Sequence, residues 1–298
     1  VFAPDIAKPQ GITVSAGTSG SNDYKYTVTA VKAETFEESI MGIDVGGAKA
    51  LGPSGTTINL SNPQEFNSTA HGFSVGDKIH LSLDVDSTIT GLQNAVFTVL
   101  SASANTFAIN FDGTKYSDLG PFTYGAADYA YPAQVAYTSK ASPTASTPIR
   151  IRWEAVTDAA EYNIYREDGS GVFGLIGVAE GDTFLDIGVS PDTSITPPVG
   201  RNPFAAPGDR PGAVTYIQQR LALGNTASNP QKVITSRTAE FKNFSTRNPA
   251  QDDDSITFTM AGRQVNEVNH MLDLGKLIIL TSGGEWSAEG DAAGIIRP

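Results

Sequence analysis

The sequence predicts an almost entirely β protein of more than one domain, and three observations carry that expectation. Apolar and polar residues alternate along much of the chain, as the half-buried strands of antiparallel sheets require. Turn formers are abundant, with 30 glycines and 17 prolines in 298 residues, and they cut the chain into short segments without a collagen-like period. No stretch repeats apolar residues at i, i+3, i+4 and i+7 behind a helix cap. At roughly 150 residues per domain, the length corresponds to two or three modules.

The strands follow in order. Tyr24, Tyr26, Val28 and Ala30 interleave with Lys25, Thr27, Thr29 and Val31, behind a turn signal at Gly17–Asp23. Residues 55–127 give several more strands, broken at Ser61-Asn62-Pro63, Gly76-Asp77 and Asp112-Gly113. A Pro/Ser/Thr patch at 142–148 precedes Ile149-Arg150-Ile151-Arg152-Trp153-Glu154, whose apolar residues fall on one face and charges on the other. Four strand-like runs then fill 149–188, and a Pro/Gly-rich stretch, Pro197 to Gly212, is the best linker in the chain. Beyond it, Ile256, Phe258 and Met260 alternate with Ser255, Thr257 and Thr259.

Trp153 with Tyr162 and Tyr165 resembles the B and C strands of a fibronectin type III sandwich, whose last two strands are missing after residue 188. The segment Asp23–Ser39 resembles those missing F and G strands. A discontinuous sandwich of residues 1–45 plus 128–200 is therefore expected, with residues 46–127 inserted. In the insert, His71-Gly72-Phe73, Gly76-Asp77 and the later FTV and ANTFAI runs resemble a small β-barrel called FCCH-like. This second resemblance implies a fold and no chemistry.

Composition narrows the function. Without cysteine there is no disulfide framework, no thiol nucleophile and no zinc site built on Cys ligands. The net charge of −12 lies wholly on residues 1–209, with 11 basic and 23 acidic residues, against 9 of each in 210–298. Such a surface repels phosphate and opposes a grip on nucleic acid. No stretch approaches about 18 consecutive apolar residues, and the first ten residues lack the pattern of a signal peptide, so no membrane insertion is expected. The chain starts at Val1 and stops at Pro298 without a capped element, and a fragment of something longer is expected.

Motifs with chemical readings favour the plainer one. Gly169–Gly174 matches G-x-G-x-x-G, but the next residues, Leu175-Ile176-Gly177-Val178, read as a strand, where a dinucleotide site needs a helix N-terminus. A hairpin is expected. The three histidines, His71, His80 and His270, lack metal-ligand spacing. Asp252-Asp253-Asp254 lacks the alternating ligands, central Gly and terminal Glu of a calcium loop and reads as an acidic turn. Nothing in the sequence signals a catalytic residue, a metal or a cofactor.

The last third carries the most specific text. One strand, Tyr216–Leu223 with Gln218-Gln219-Arg220, then Asn229-Pro230-Gln231, Ser236-Arg237, Phe241 and Phe244 come first. The Asp252–Asp254 turn, Arg263-Gln264-Val265-Asn266 and Leu280–Trp286 follow. Together they resemble the central region of tail nozzle (tail tubular) proteins of short-tailed bacteriophages. Bottom-up, short strands separated by turns fit a propeller blade or a sandwich equally well. The resemblance implies a propeller-like β platform, begun in residues 201–298 and completed beyond them. It further implies a virion structural protein, assembled in the host cytoplasm into a six-fold ring below the head-to-tail adaptor and beside other tail proteins, through which viral DNA passes without specific binding. The candidate subunit-contact residues are Gln218, Gln219, Arg220, Arg237, Arg263 and Asn266, long planar side chains suited to bidentate contacts. Intrachain pairing is the alternative for each. The rival functions are a receptor- or glycan-binding module without catalysis and a noncatalytic part of a secreted glycosidase.

Overall fold

The structure, a computed structural model, describes residues 2–83, 92, 95–115, 121–200, 202–204, 210–261, 266–291 and 296–298. It divides into Asp5–Val199 and a second unit of Gly200–Pro298 with Val1–Pro4. The division falls inside the Pro/Gly-rich stretch.

In the first unit β1 (Thr13–Ala16) and β2 (Ser19–Lys32) come first. Short strands follow: β3 (Lys49–Ala50), β4 (Thr57–Ile58), β5 (Gln64–Asn67), β6 (Lys78–Ser82), β7 (Phe97–Ala102), β8 (Thr106–Ile109), β9 (Phe122–Thr123) and β10 (Tyr129–Pro132). The unit ends with β11 (Val135–Lys140), β12 (Ile149–Arg152), β13 (Ala159–Glu167), β14 (Phe173–Ala179) and β15 (Thr183–Asp186). All pairings are antiparallel.

Two of its sheets, β1-β12-β15 and β11-β2-β13-β14, face each other as a three-on-four sandwich. The alternation of β12 explains its place: Ile149 and Ile151 are buried, while Arg150 and Arg152 are exposed. Ile149, Ile151 and Trp153 meet Tyr26, Val28, Tyr162 and Ile164 in one core, and each such large side chain contributes about 1.5–3 kcal/mol on full burial. One carboxylate ties the two sheets together. Asp186 of β15 accepts a hydrogen bond from the Tyr26 hydroxyl of β2 (2.8 Å) and pairs with Arg166 of β13.

The strand order corrects one expectation. Asp23–Ser39 supplies only one full strand, β2, because the chain turns at Thr35-Phe36 with Phe36 at φ 58°. Residues 38–42 return along the C-terminal half of β2, with Ser39 N donating to Ala30 O and Gly42 N to Val28 O, both at 2.8 Å. The buried Glu38 carboxylate holds them there, accepting from Thr29, Asn163 and Tyr165. Regular pairing on that edge of β2 comes from β11, which follows the insert and takes over at Tyr26.

The intervening segment forms a six-stranded sheet, β3-β10-β6-β7-β8-β5, and a two-stranded one, β4-β9. Bonds between its outer strands curl the larger sheet: Gly52 N donates to Asn67 O and the Ser68 hydroxyl to Ala50 O. His71 and Phe73 pack on Phe107, each with ring centroids 5.2 Å away, and Phe66 joins Phe107 to Phe122. His71 Nδ1 accepts from Phe73 N, so its Nε2 carries the proton and donates to Thr106 O. The motif that marks this segment in the sequence is thus its aromatic core. An apolar cluster of Ile40, Met41, Val96, Ala133, Tyr165 and Phe173 joins the segment to the sandwich.

The second unit contains β16 (Ala213–Ile217), β17 (Arg220–Gly224), β18 (Lys232–Thr235), β19 (Thr257–Thr259), β20 (Val268–Asp273), β21 (Leu277–Thr281) and β22 (Gly284–Ala288). They form two antiparallel meanders, β16-β17-β18-β19 and β20-β21-β22. Both face one core around Ile217, Val233, Met260, Met271 and Ile279. The opposite face of the first meander carries Leu223, Ile234 and Phe244, on which Phe2 and Phe204 pack. Fold class therefore stands as read: an all-β chain of more than one unit.

Candidate subunit-contact site

The sequence reads Tyr216–Leu223 as one strand, but the structure folds it into a hairpin. Ile217 pairs with Arg220, leaving Gln218 (φ 47°) and Gln219 (φ 60°) as a two-residue loop in the left-handed region. Two positive φ angles match the twist of adjoining strands, which is why such loops favour Asn-Gly. Gln-Gln gives no such signal, so the turn was hidden. Local bonds brace it: Ala239 N donates to Gln219 O (2.7 Å), and Gln218 Oε1 accepts from Ile296 N (2.9 Å).

Arg220, the first residue after the loop, is buried and reads main-chain oxygens. Its Nη1 donates to Ser236 O (3.0 Å) and Asp254 O (2.5 Å), its Nη2 to Asp252 O (2.6 Å). Burial lowers its pKa, and the charges of Asp253 and Asp254 oppose that shift. Arg237 lies beside it, equally buried. It hydrogen-bonds Asp253 through Nη2, and faces Glu240 at 3.4 Å and Asp254 at 3.8 Å. Arg247 completes the group, donating to Asp254 Oδ1 at 2.8 Å. The other Asp254 oxygen accepts from the amides of Arg247 and Gln251.

Two guanidinium groups, those of Arg237 and Arg247, thus meet the carboxylates of Glu240, Asp253 and Asp254, while Arg220 holds the main-chain oxygens of the same turn. Burial raises the Asp253 pKa, but Arg237 and Arg247 outweigh it and hold the group below its ordinary value. The acidic run is therefore occupied by arginines, and Asp252 pairs with Arg297. Among the described residues no three His, Asp or Glu side chains gather as a metal cluster.

The six candidates separate on this geometry. Arg220 and Arg237 are committed inside the chain, and Gln218 and Gln219 form the hairpin tip. Asn266 lies elsewhere, against the β21–β22 turn, where a Cβ on Gly283 would meet its Oδ1 at 2.4 Å. Arg263 falls outside the described residues. Sequence reasoning missed Arg247 and Glu240, whose partners are fixed only by the folded turn. It also missed an exposed apolar group beside the hairpin: Val214 and Tyr216 of β16 and Phe241, which are 61%, 59% and 43% exposed. Tyr216 and Phe241 meet edge to face at 5.2 Å.

The remaining motifs are local. Gly169 and Gly171 take positive φ in the β13–β14 hairpin, where Asp168 accepts from Ser170 N. His270 is exposed on β20. No protein-family model matches the chain, and no curated protein does either.

Proposed function

We propose that this chain is a structural subunit of a bacteriophage tail, a nozzle protein that builds part of the tube for genome ejection and performs no catalysis. One observation carries the reading. Among the motif residues that resemble the nozzle family, Arg220, Ser236, Arg237, Asp253 and Asp254 converge on one charged cluster, and Gln218-Gln219 form the tip of the hairpin that Arg220 begins to close. Beside that hairpin stand Val214, Tyr216 and Phe241, an exposed aromatic and aliphatic group of the type enriched in the centre of protein contacts. The buried arginines act as a brace, and contact between subunits falls to the apolar group and the hairpin tip.

The charge distribution supports the same reading. A wall that passes DNA must not hold it, and the −12 on residues 1–209 offers no excess of cations for counterion release. Six-fold closure, neighbouring tail proteins and a virion location belong to this proposal. Electron microscopy of the intact parent assembly tests it. Six-fold rings are expected, and Tyr216→Glu combined with Phe241→Ser should dissolve them while tryptophan fluorescence keeps its native spectrum. Monomers that bind host cells or glycans would overturn the proposal in favour of the receptor-binding reading.

A further inference from the structure

The first unit holds a cavity of about 320 Å3 where the segment leading into β1 passes over β6 and β10. Lys8 and Gln10 line it from that segment, Ile43 from just after the returning residues 38–42, and His80, Ser82 and Tyr131 from the curled sheet. Tyr131 and His80 stand directly opposite each other in the β10–β6 pairing.

Its charge is unusual for this chain. Acidic residues outnumber basic ones 32 to 20, yet among the described residues the cavity is lined by a lysine and no carboxylate. The Lys8 ammonium, Gln10 amide, Ser82 hydroxyl and Tyr131 hydroxyl make no hydrogen bond or ion pair with any described residue. Burial lowers the Lys8 pKa, and no acidic partner among the described residues offsets it. A half-buried ammonium of this kind is costly unless a counter-charge reaches it.

His80 cannot serve as a second cation. Both ring nitrogens face carbonyl oxygens, Nδ1 that of Ala95 (3.0 Å) and Nε2 that of Met41 (2.8 Å). Burial and then the Lys8 charge lower its pKa to about 3, so the ring is a neutral, fixed wall at neutral pH. One positive charge and three neutral hydrogen-bonding groups match a small oxyanion. The volume lies at the lower end of the roughly 300–1,000 Å3 typical of small-molecule sites.

We propose that this cavity binds a small oxyanion, a carboxylate or a phosphate, with Lys8 as the counter-charge and Gln10, Ser82 and Tyr131 as hydrogen-bonding partners. The groups come from both the sandwich's leading segment and the curled sheet, so a bound anion fastens one to the other. The inference stands apart from the tail-protein reading.

Calorimetric titration of the full chain at pH 7.5 with acetate and with inorganic phosphate tests it. Saturable binding of at least one anion is expected, with a Kd in the low millimolar range or tighter, and the anion that saturates distinguishes carboxylate from phosphate. Lys8→Met should weaken binding at least tenfold with an unchanged circular dichroism spectrum. Lys8→Arg should retain binding, and Ser82→Ala, at an exposed position, should weaken it two- to fivefold. If neither anion saturates, or if Lys8→Met binds as tightly as the parent chain, the proposal fails. If Lys8→Met does not fold, equal binding by Ser82→Ala, Gln10→Ala and the parent chain overturns it.

Discussion

The sandwich and the second unit solve the same problem with different materials. In the sandwich, two sheets enclose a filled apolar core, and one carboxylate, Asp186, bridges them. In the second unit the sheets are short, and the long segment between β18 and β19 is held by Arg220 through its main-chain oxygens and by Arg237 and Arg247 against Glu240, Asp253 and Asp254. Apolar packing fixes sheets, because burial is non-directional and scales with area. Irregular segments bury main-chain oxygens that only donors can satisfy, and arginine offers five in a rigid fork.

The comparison can be broken by substitution, because the chain has two tryptophans, with Trp153 in the first unit and Trp286 in the second. Trp153→Phe or Trp286→Phe leaves one reporter for each. The largest effect is expected from Asp254→Ala, which removes the buried carboxylate shared by Arg237 and Arg247 and should destabilise the second unit by about 3–5 kcal/mol in denaturant unfolding followed at Trp286. Ile164→Ala should cost the sandwich about 2–5 kcal/mol at Trp153 through lost packing. Equal shifts at both reporters from either substitution would contradict the separation.

Acid sharpens the contrast, since the two units begin to weaken at different pH. His80 is neutral in the folded first unit, with a pKa lowered to about 3, whereas an unfolded histidine takes up a proton near 6.5. Its contribution is complete above about pH 6.5 and declines as pH falls from there towards 3. Asp253 titrates below its ordinary value in the second unit, so its contribution is present above about pH 4 and fades only as pH drops through the lowered value. Unfolding at pH 5 should therefore show the first unit weakened and the second unchanged, and His80→Gln should remove the difference. The smallest effect has the opposite sign: Gln219→Gly relieves a left-handed residue and should stabilise the β16–β17 hairpin by roughly 0.5–1 kcal/mol in the Trp286 transition.

What could be read beforehand follows the same division. Alternation in Ile149–Glu154 and Tyr24–Val31 announces strands because the pleat alone dictates it. The partner of β2 was not readable at Val135–Lys140, since Ala33–Ser39 carries similar residues and only the turn at Phe36 diverts it. In the second unit the motif residues stood out, but their destination did not. Arg220 and Arg237 read as surface contacts because nothing local in the sequence shows that the Asp252–Asp254 turn folds over them. The exposed Tyr216 and Phe241 look like core residues on paper, and their solvent face is set by pairings across the whole meander.

The placement of β2 has a consequence for how this polypeptide is made. β2 lies between β11 and β13, both encoded more than 100 residues downstream, so on the ribosome it emerges long before either neighbour exists. At about 5–20 residues per second, the nascent chain carries β2 with the edge that β13 will pair left open for several seconds or more. The insert is synthesised in that interval, so the sandwich can close only once the insert and then β11–β15 have been made.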